Sequence, residues 1–427
     1  MINNINKRIQ EEISFLYEPC EECGQPIIEH LKKGEVCCSG PYTLNSNVIK
    51  DLLKKFWIYF NGSLDGVEEV LHDKYLFGSL LRLIDIAYKW GLQNPLIIPT
   101  TVKWEATHSC NLNCKHCLAN AGCKIDNELS CSEVIDLIDQ CVDLGIQNFG
   151  ILGGEPLLRA DIFDIIEYLE KCPLNVTIST NATLIDDSFI ERISKSKIRS
   201  FSVSVDGLEC EHDYLRGKKG SFNKALDGIK RLKRINKRVS VLMVVTRQNI
   251  NQIYDVMSEM KKLGVNKFGI NDLLPFGRGK DIEEYCITQE QYEELAAEFK
   301  TRNLYSDTEM MFTWTGAGSS FINKEKPESP FTLSKCGAAL TELTVGSEGT
   351  IRACAFLPKS NENIRNEKLE NIWFNSLELK KYQSRDNLEG QCGSCKHRIA
   401  CSGCRARAEA YTGKINSEDP RCLIGRN

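Results

Sequence analysis

No uninterrupted apolar run in this 427-residue chain reaches the roughly 18 residues of a membrane span, so no transmembrane helix is expected. The longest candidate, YLFGSLLRLIDIAYKW at 75–90, carries charges at helical spacing and reads as an amphipathic helix. No basic segment followed by an apolar one opens the sequence, so a signal peptide is not expected and a cytoplasmic location is. Charge of one sign is also missing. With 54 Lys and Arg against 58 Asp and Glu, the net charge of -4 gives no reason to expect nucleic acid or a membrane surface as a partner. There is no internal repeat and no low-complexity tract. The apolar fraction of 42% and charged fraction of 26% are those of a globular protein with room for two or three domains.

Cysteine is abundant instead: there are 20. In a small secreted protein that density means a disulfide scaffold, but a large chain with no export signal points to thiolates that bind metal. Clustering supports this, because three cysteines fall in 110–117 and seven in 336–422. A third group, Cys20, Cys23, Cys37 and Cys38, lies in a loop of an otherwise mostly helical extension over 1–99. Cys123, Cys131, Cys141, Cys172, Cys210 and Cys286 are isolated and read as structural, packing like small apolar residues.

From about 100 to 280, β-rich runs alternate with amphipathic helical patterns. The runs are TVKWEAT (101–107), NFGILGG (148–154), NVTIST (175–180), SFSVSVD (200–206), VSVLMVV (239–245) and KFGIND (267–272). Such repetition predicts parallel strands joined by crossover helices, an α/β fold in the form of a partial (β/α)6 barrel. Function is then expected at the carboxyl ends of the strands. Residues 281–335 read as a connector, and 336–427 as a small domain stapled by metal.

CNLNCKHC, at 110–117, directly follows the first strand and places Cys110, Cys114 and Cys117 in a C-x3-C-x2-C pattern. A four-iron cluster held by three thiolates keeps one iron open to a small molecule. Zinc is the alternative, with His108 or His116 as a fourth ligand. The pattern resembles the signature of radical S-adenosylmethionine (SAM) enzymes. In that family the methionine moiety of SAM chelates the open iron, and reduction releases a 5′-deoxyadenosyl radical that abstracts hydrogen from the substrate. Other stretches carry the same resemblance. GGEP (Gly153, Gly154, Glu155, Pro156) matches a motif whose backbone contacts the SAM amino group. STNATL, with Ser179 and Asn181, resembles the family's Ser-Thr-Asn-Gly, with Ala182 in place of the glycine. By resemblance, Ser204 or Asp206 contacts the ribose, Arg216 pairs with the SAM carboxylate, and LLPFGRGKD (273–281) lies near the adenine.

The C-terminal cysteines resemble the SPASM extension of radical SAM maturases, which holds two auxiliary iron–sulfur clusters. That resemblance assigns Cys392, Cys395, Cys401 and Cys422 to one cluster and Cys336, Cys354 and Cys404 to the other. The middle motif, C-x2-C-x5-C-x2-C, is one residue shorter in its last gap than the family's usual spacing. The implied cofactors are 4Fe-4S clusters and SAM, and the implied electron donor is a low-potential protein of flavodoxin or ferredoxin type. The same tail resembles peptide maturases and haem-biosynthesis enzymes, so a ribosomally made peptide is the expected substrate and a tetrapyrrole the alternative. From another class, an iron–sulfur electron carrier without catalysis is disfavoured, since a carrier has no use for the GGEP turn or Arg216.

Overall fold

The computed structural model describes residues 99–302, 309–315, 336–385, 387–395 and 401–423, with 14–17, 23, 25, 26, 304, 307 and 398. The chain divides into two compact units, residues 1–98 with 328–332, and the remainder. The helix predicted at 75–90 and Cys20, Cys37 and Cys38 lie outside the described residues; Cys23 is exposed. Among the described residues no helix is long and apolar enough to cross a membrane.

Every one of the six β-rich runs forms a strand: β1 (Thr101–Glu105), β2 (Asn148–Leu152), β3 (Asn175–Thr180), β4 (Ser200–Ser204), β5 (Arg238–Val245) and β6 (Lys267–Asp272). They pair in sequence order, all parallel. The sheet is open and larger than the sequence pattern predicts. β7 (Met311–Thr315), from within the predicted connector, adds in parallel beside β6. At the other edge β8 (Glu342–Val345) runs parallel to β1, and β9 (Ile351–Arg352) turns back antiparallel on β8. The resulting order is β7-β6-β5-β4-β3-β2-β1-β8-β9.

Helical spacing explains how the outer layer covers this sheet. α1 (Cys131–Asp143) buries Val134, Leu137, Ile138 and Cys141, one stripe at i, i+3, i+4 and i+7, and starts at a capping box of Ser130 and Glu133. α2 (Ile162–Leu169), α3 (Asp187–Ser194), α4 (Glu209–Arg216) and α5 (Ser221–Arg234) follow. α6 (Ile253–Lys262) repeats the stripe with Ile253, Val256, Met257 and Met260 and ends before Gly264, whose left-handed φ of +70° stops the helix. α7 (Gln289–Thr301) packs Phe299 on Phe312 and Trp314 of β7, so helix and strand form a seventh unit.

Strand alternation divides the sheet into two faces. Val102, Trp104, Phe149, Ile151, Phe201 and Val203 are fully buried on one. The intervening Lys103, Glu105, Ser179, Ser204, Leu242 and Val244 line a cavity on the other. The inner face is therefore polar enough to receive a ligand, and the outer face is core.

Just after β3, Ala182 holds a left-handed backbone at φ +59°. A Cβ on Gly228 of α5 would lie 2.6 Å from the Ala182 carbonyl oxygen and 3.0 Å from its Cβ, so the helix glycine makes room for the turn. Left-handed geometry costs a non-glycine residue about 1 kcal/mol. Ala182→Gly is expected to stabilise the metal-free protein by about that amount, read as a higher urea midpoint with an unchanged slope.

Candidate active site

The cysteine loop is shaped by three contacts from other parts of the barrel. Gly154, after β2, lies so close that a Cβ there would sit 2.1 Å from the Ser109 carbonyl oxygen, and Glu155 donates its N–H to the same oxygen. A Cβ on Gly217, at the end of α4, would lie 2.4 Å from the Asn113 carbonyl oxygen, while Lys115 N–H bonds the Leu215 carbonyl. A Cβ on Gly277, after β6, would lie 2.3 and 2.4 Å from the Cys117 and Leu118 carbonyl oxygens. Next to it, Arg278 donates Nε to the Cys114 carbonyl (2.7 Å) and Nη1 to that of Ala121 (2.9 Å). Any side chain at the three glycines would push on the loop backbone.

Cys110, Cys114 and Cys117 all line a cavity of about 450 Å³, together with Gly153, Gly154, Ser179, Asn181, Ser204 and Arg216. That volume is in the about 300–1,000 Å³ range of small-molecule sites. Burial pushes the Cys110 thiol up to about 11, and it raises Cys114 against the opposing pull of Arg216.

Behind the loop is a buried ionic knot. Asp206 Oδ2 lies 2.6 Å from Arg216 Nε and 3.1 Å from His116 Nε2, and its Oδ1 accepts the Val244 N–H at 2.9 Å. Burial opposes ionisation of Asp206, but Arg216 and His116 outweigh it and hold the carboxyl well below its ordinary range. Arg216 Nη1 lies 3.7 Å from the Cys114 sulfur. His212 is neutral: its Nδ1 accepts the Asp206 N–H, and burial followed by Arg216 pushes it down to about 4. Glu155, fully buried, is pushed up to about 7 by burial, although Thr180, Asn181 and Leu157 all donate to it.

Two further groups of thiols assemble in the C-terminal segment. Cys392, Cys395, Cys401 and Cys422 line one small pocket. Cys336 is close enough to raise both Cys354 and Cys404, whose thiols are pushed up chiefly by burial. Between Cys401 and Cys404, Ser402 and Gly403 are both left-handed (φ +57° and +63°), which turns the chain sharply and sends the two thiols to different groups. Arg407, three residues on, bridges Asp419 (3.5 Å) and Asp272 (3.3 Å). Asp419 accepts the Cys404 N–H and Asp272 lines the cavity, so buried charges connect the two regions.

Residues 104–285 match the model of the radical SAM superfamily, and residues 336–396 that of SPASM, described as an iron–sulfur cluster-binding domain. An AdoMet-dependent heme synthase of Methanosarcina barkeri is 30% identical over 338 residues, 76% of this chain and 96% of the relative. The chain belongs to the radical SAM superfamily. Mycofactocin maturase MftC of Mycolicibacterium smegmatis is 30% identical over 359 residues, covering 81% of this chain and 86% of that one. Among solved structures, Streptococcus suis SuiB bound to S-adenosylmethionine superposes with a TM-score of 0.66 at 20% identity, covering 84% and 86% of the two chains, which speaks to the fold.

A radical SAM enzyme uses a 4Fe-4S cluster and SAM, and the donor set here fits both. Three soft thiols share one cavity with the cradle at Gly153 and Gly154, where a Cβ would collide with Thr107 and Ser109. Neither of the two histidines of the zinc alternative is spare. The His108 ring lies between the carbonyls of Cys123 and Ala119, and His116 is engaged by Asp206.

The other residues expected to contact SAM divide between the cavity wall and its support. Ser179, Asn181 and Ser204 are on the wall. Glu155 faces away and ties the GGEP turn to the end of β3, with Pro156 opening a short 3-10 turn behind it. Asp206 is fully buried and outside the lining, and the Nε of Arg216 is taken by it. Sequence reasoning did not single out Arg278 or the support role of His116. Arg278 lay within a recognised stretch, but nothing local shows that its fork reaches residues 114 and 121. Of the isolated cysteines, Cys141 and Cys286 are buried as expected, whereas Cys123 and Cys210 are exposed and so do not pack as small apolar residues.

Proposed function

We propose that this radical SAM/SPASM enzyme binds SAM over a cluster held by Cys110, Cys114 and Cys117 and uses it to abstract hydrogen from a carbon of a ribosomally made peptide or protein. The observation that carries the reading is the single cavity shared by those thiols and the carboxyl ends of β2, β3, β4 and β6. When bound and reduced by a low-potential donor of flavodoxin or ferredoxin type, the cluster and SAM supply a 5′-deoxyadenosyl radical. The chain's own residues orient that chemistry: Gly153 and Gly154 admit the ligand backbone-close, and Ser179, Asn181 and Ser204 offer hydrogen bonds. The apolar walls of Leu242, Val244, Leu273, Phe276 and Phe356 exclude water.

The preference for a peptide rests on charge. Of the described cations on the wall, Lys103 is neutralised by Glu342 and Arg216 by Asp206, which leaves Arg278, tied to carbonyls of the cysteine loop, as the one without a carboxylate partner among the described residues. A tetrapyrrole bearing propionates would call for free cations. The tetrapyrrole reading is favoured instead by the heme synthase relative, nearly all of whose length the chain matches.

Anaerobic reconstitution with iron and sulfide tests the core reading. The expected result is about 10–12 irons per chain, as three four-iron clusters give, and 5′-deoxyadenosine on reduction with SAM. Changing Cys110, Cys114 and Cys117 together to alanine should remove about four irons and all SAM cleavage. Iron uptake without SAM cleavage in the unaltered chain would leave an electron carrier. Stimulation of cleavage by a peptide or by an iron porphyrin then separates the two substrate classes.

A further inference from the structure

We infer that Arg405 raises the electron affinity of the auxiliary cluster on Cys392, Cys395, Cys401 and Cys422 by donating a hydrogen bond to the sulfur of Cys392. The inference rests on the assignment of those four cysteines to one cluster. The contact itself is in the structure. Arg405 Nη2 lies 3.7 Å from the Cys392 sulfur, and the Asp419 N–H donates to the same sulfur at 3.4 Å. Gly403 makes room for it. A Cβ there would stand 2.7 Å from Arg405 Nη2 and 3.0 Å from the Cys392 sulfur, so guanidinium and sulfur meet in space that a side chain would fill. The fork is held in place by Nη1, which donates to the Ile415 and Ser417 carbonyls.

Charge points the same way. Arg405 is 1% exposed, and no carboxylate forms an ion pair with it among the described residues. It opens the helix Arg405–Thr412, whose first turn holds no acidic residue, and a helix N-terminus disfavours a cation. Arg407, in the same turn, is balanced by Asp419 and Asp272. Arg385, also buried, is close enough to Arg405 for the two charges to repel. A guanidinium does not shed its proton, so a buried one needs an anion nearby. A four-iron cluster on four thiolates supplies it, since the cluster carries net negative charge and its ligand sulfurs accept hydrogen bonds. Such a bond, from a fixed cation, stabilises the added electron more than the oxidised state. The step is a one-electron reduction by the low-potential donor, with no bond made or broken and no proton moved.

The test is a redox titration of the reconstituted full chain, followed by electron paramagnetic resonance. Alanine at Cys110, Cys114 and Cys117 identifies the loop signal by its loss, and Cys392→Ser, which swaps one ligand atom, marks the signal of this site by shifting it. In Arg405→Gln the reduced-to-oxidised ratio of the marked signal at fixed potential should fall about tenfold, equal to about 59 mV for one electron. The other two signals should not move. Arg405→Lys, which keeps the charge without the fork, should shift the same way by a smaller factor. An unchanged potential in a variant with full iron overturns the inference, even if that variant melts earlier, because Arg405 would then only clamp the turn at Ile415 and Ser417. So does an equal shift of both auxiliary signals. If Arg405→Gln loses iron, Arg405→Lys decides alone, and no shift there overturns it. A Cys392→Ser chain with neither auxiliary signal altered would instead defeat the ligand assignment, before any Arg405 variant is made.

Discussion

Gly154→Ala is expected to lower SAM cleavage by at least about a hundredfold and to remove the loop cluster while sparing the auxiliary iron. The added Cβ would stand 2.1 Å from the Ser109 oxygen and 2.7 Å from its carbonyl carbon, both backbone atoms one residue from Cys110. No rotamer relieves such a contact, so either the GGEP turn or the cysteine loop must move. The turn cannot yield easily, because Glu155 is bound by Thr180, Asn181 and Leu157. The displacement therefore falls on the ligands. Gly122→Ala is the matched control: it lies just beyond the cysteines, and its Cβ would meet nothing within 4 Å. Iron per chain and the rate of 5′-deoxyadenosine formation report both outcomes. Loss of iron from the C-terminal sites as well would mean that the damage is global.

Asp206→Ala carries the largest expected stability cost, about 3–5 kcal/mol, because it strands a buried cation instead of merely deleting a bond. Arg216 would lose its carboxylate at 2.6 Å, His116 its partner at 3.1 Å, and the Val244 N–H its acceptor. Chemical denaturation of the metal-free protein measures this. The pH dependence has a definite sign. The folded-state carboxyl is held below its ordinary value, so its contribution is complete above the unfolded-state value near 3.8 and is lost only as pH falls through the folded-state value. The gap between wild type and Asp206→Ala should thus stay flat from pH 8 to about pH 5 and close only in stronger acid. A gap already closing near pH 6 would mean that Asp206 is not paired as described.

Much of the barrel could be read in advance because its signals are local. Alternation in RVSVLMVV and the three-four spacing of Ile253, Val256, Met257 and Met260 are imposed by the geometry of strand and helix themselves. The cysteine spacing likewise marks a ligand loop without reference to anything else. The strand of β8 was hidden by its partner lying far away in sequence, whereas β7, as long as β1, β2 and β4, stood in a stretch read as a connector. Direction was harder still. Ser204 and Asp206 stand two residues apart, yet one is on the cavity wall and the other beneath it, where the chain leaves the strand and its alternation lapses. Arg278 and the glycines at 154, 217 and 277 take their meaning from contacts across the barrel, which no window of sequence contains.

The seating of β8 against β1 bears on how the chain is made. Thr100 leads into β1 and bonds Thr341, 241 residues later. At about 5–20 residues per second, roughly 12–48 s of synthesis separate the two on the ribosome. Through that interval the strand that carries the cysteine loop has one bare edge, open to pairing with another nascent chain. Lys103 lies in the middle of that edge strand, where a charge discourages such pairing, and it meets Glu342 only when β8 arrives. A chain cut short after residue 335 keeps all three ligands of the loop but never covers this edge, and it should be recovered as aggregate.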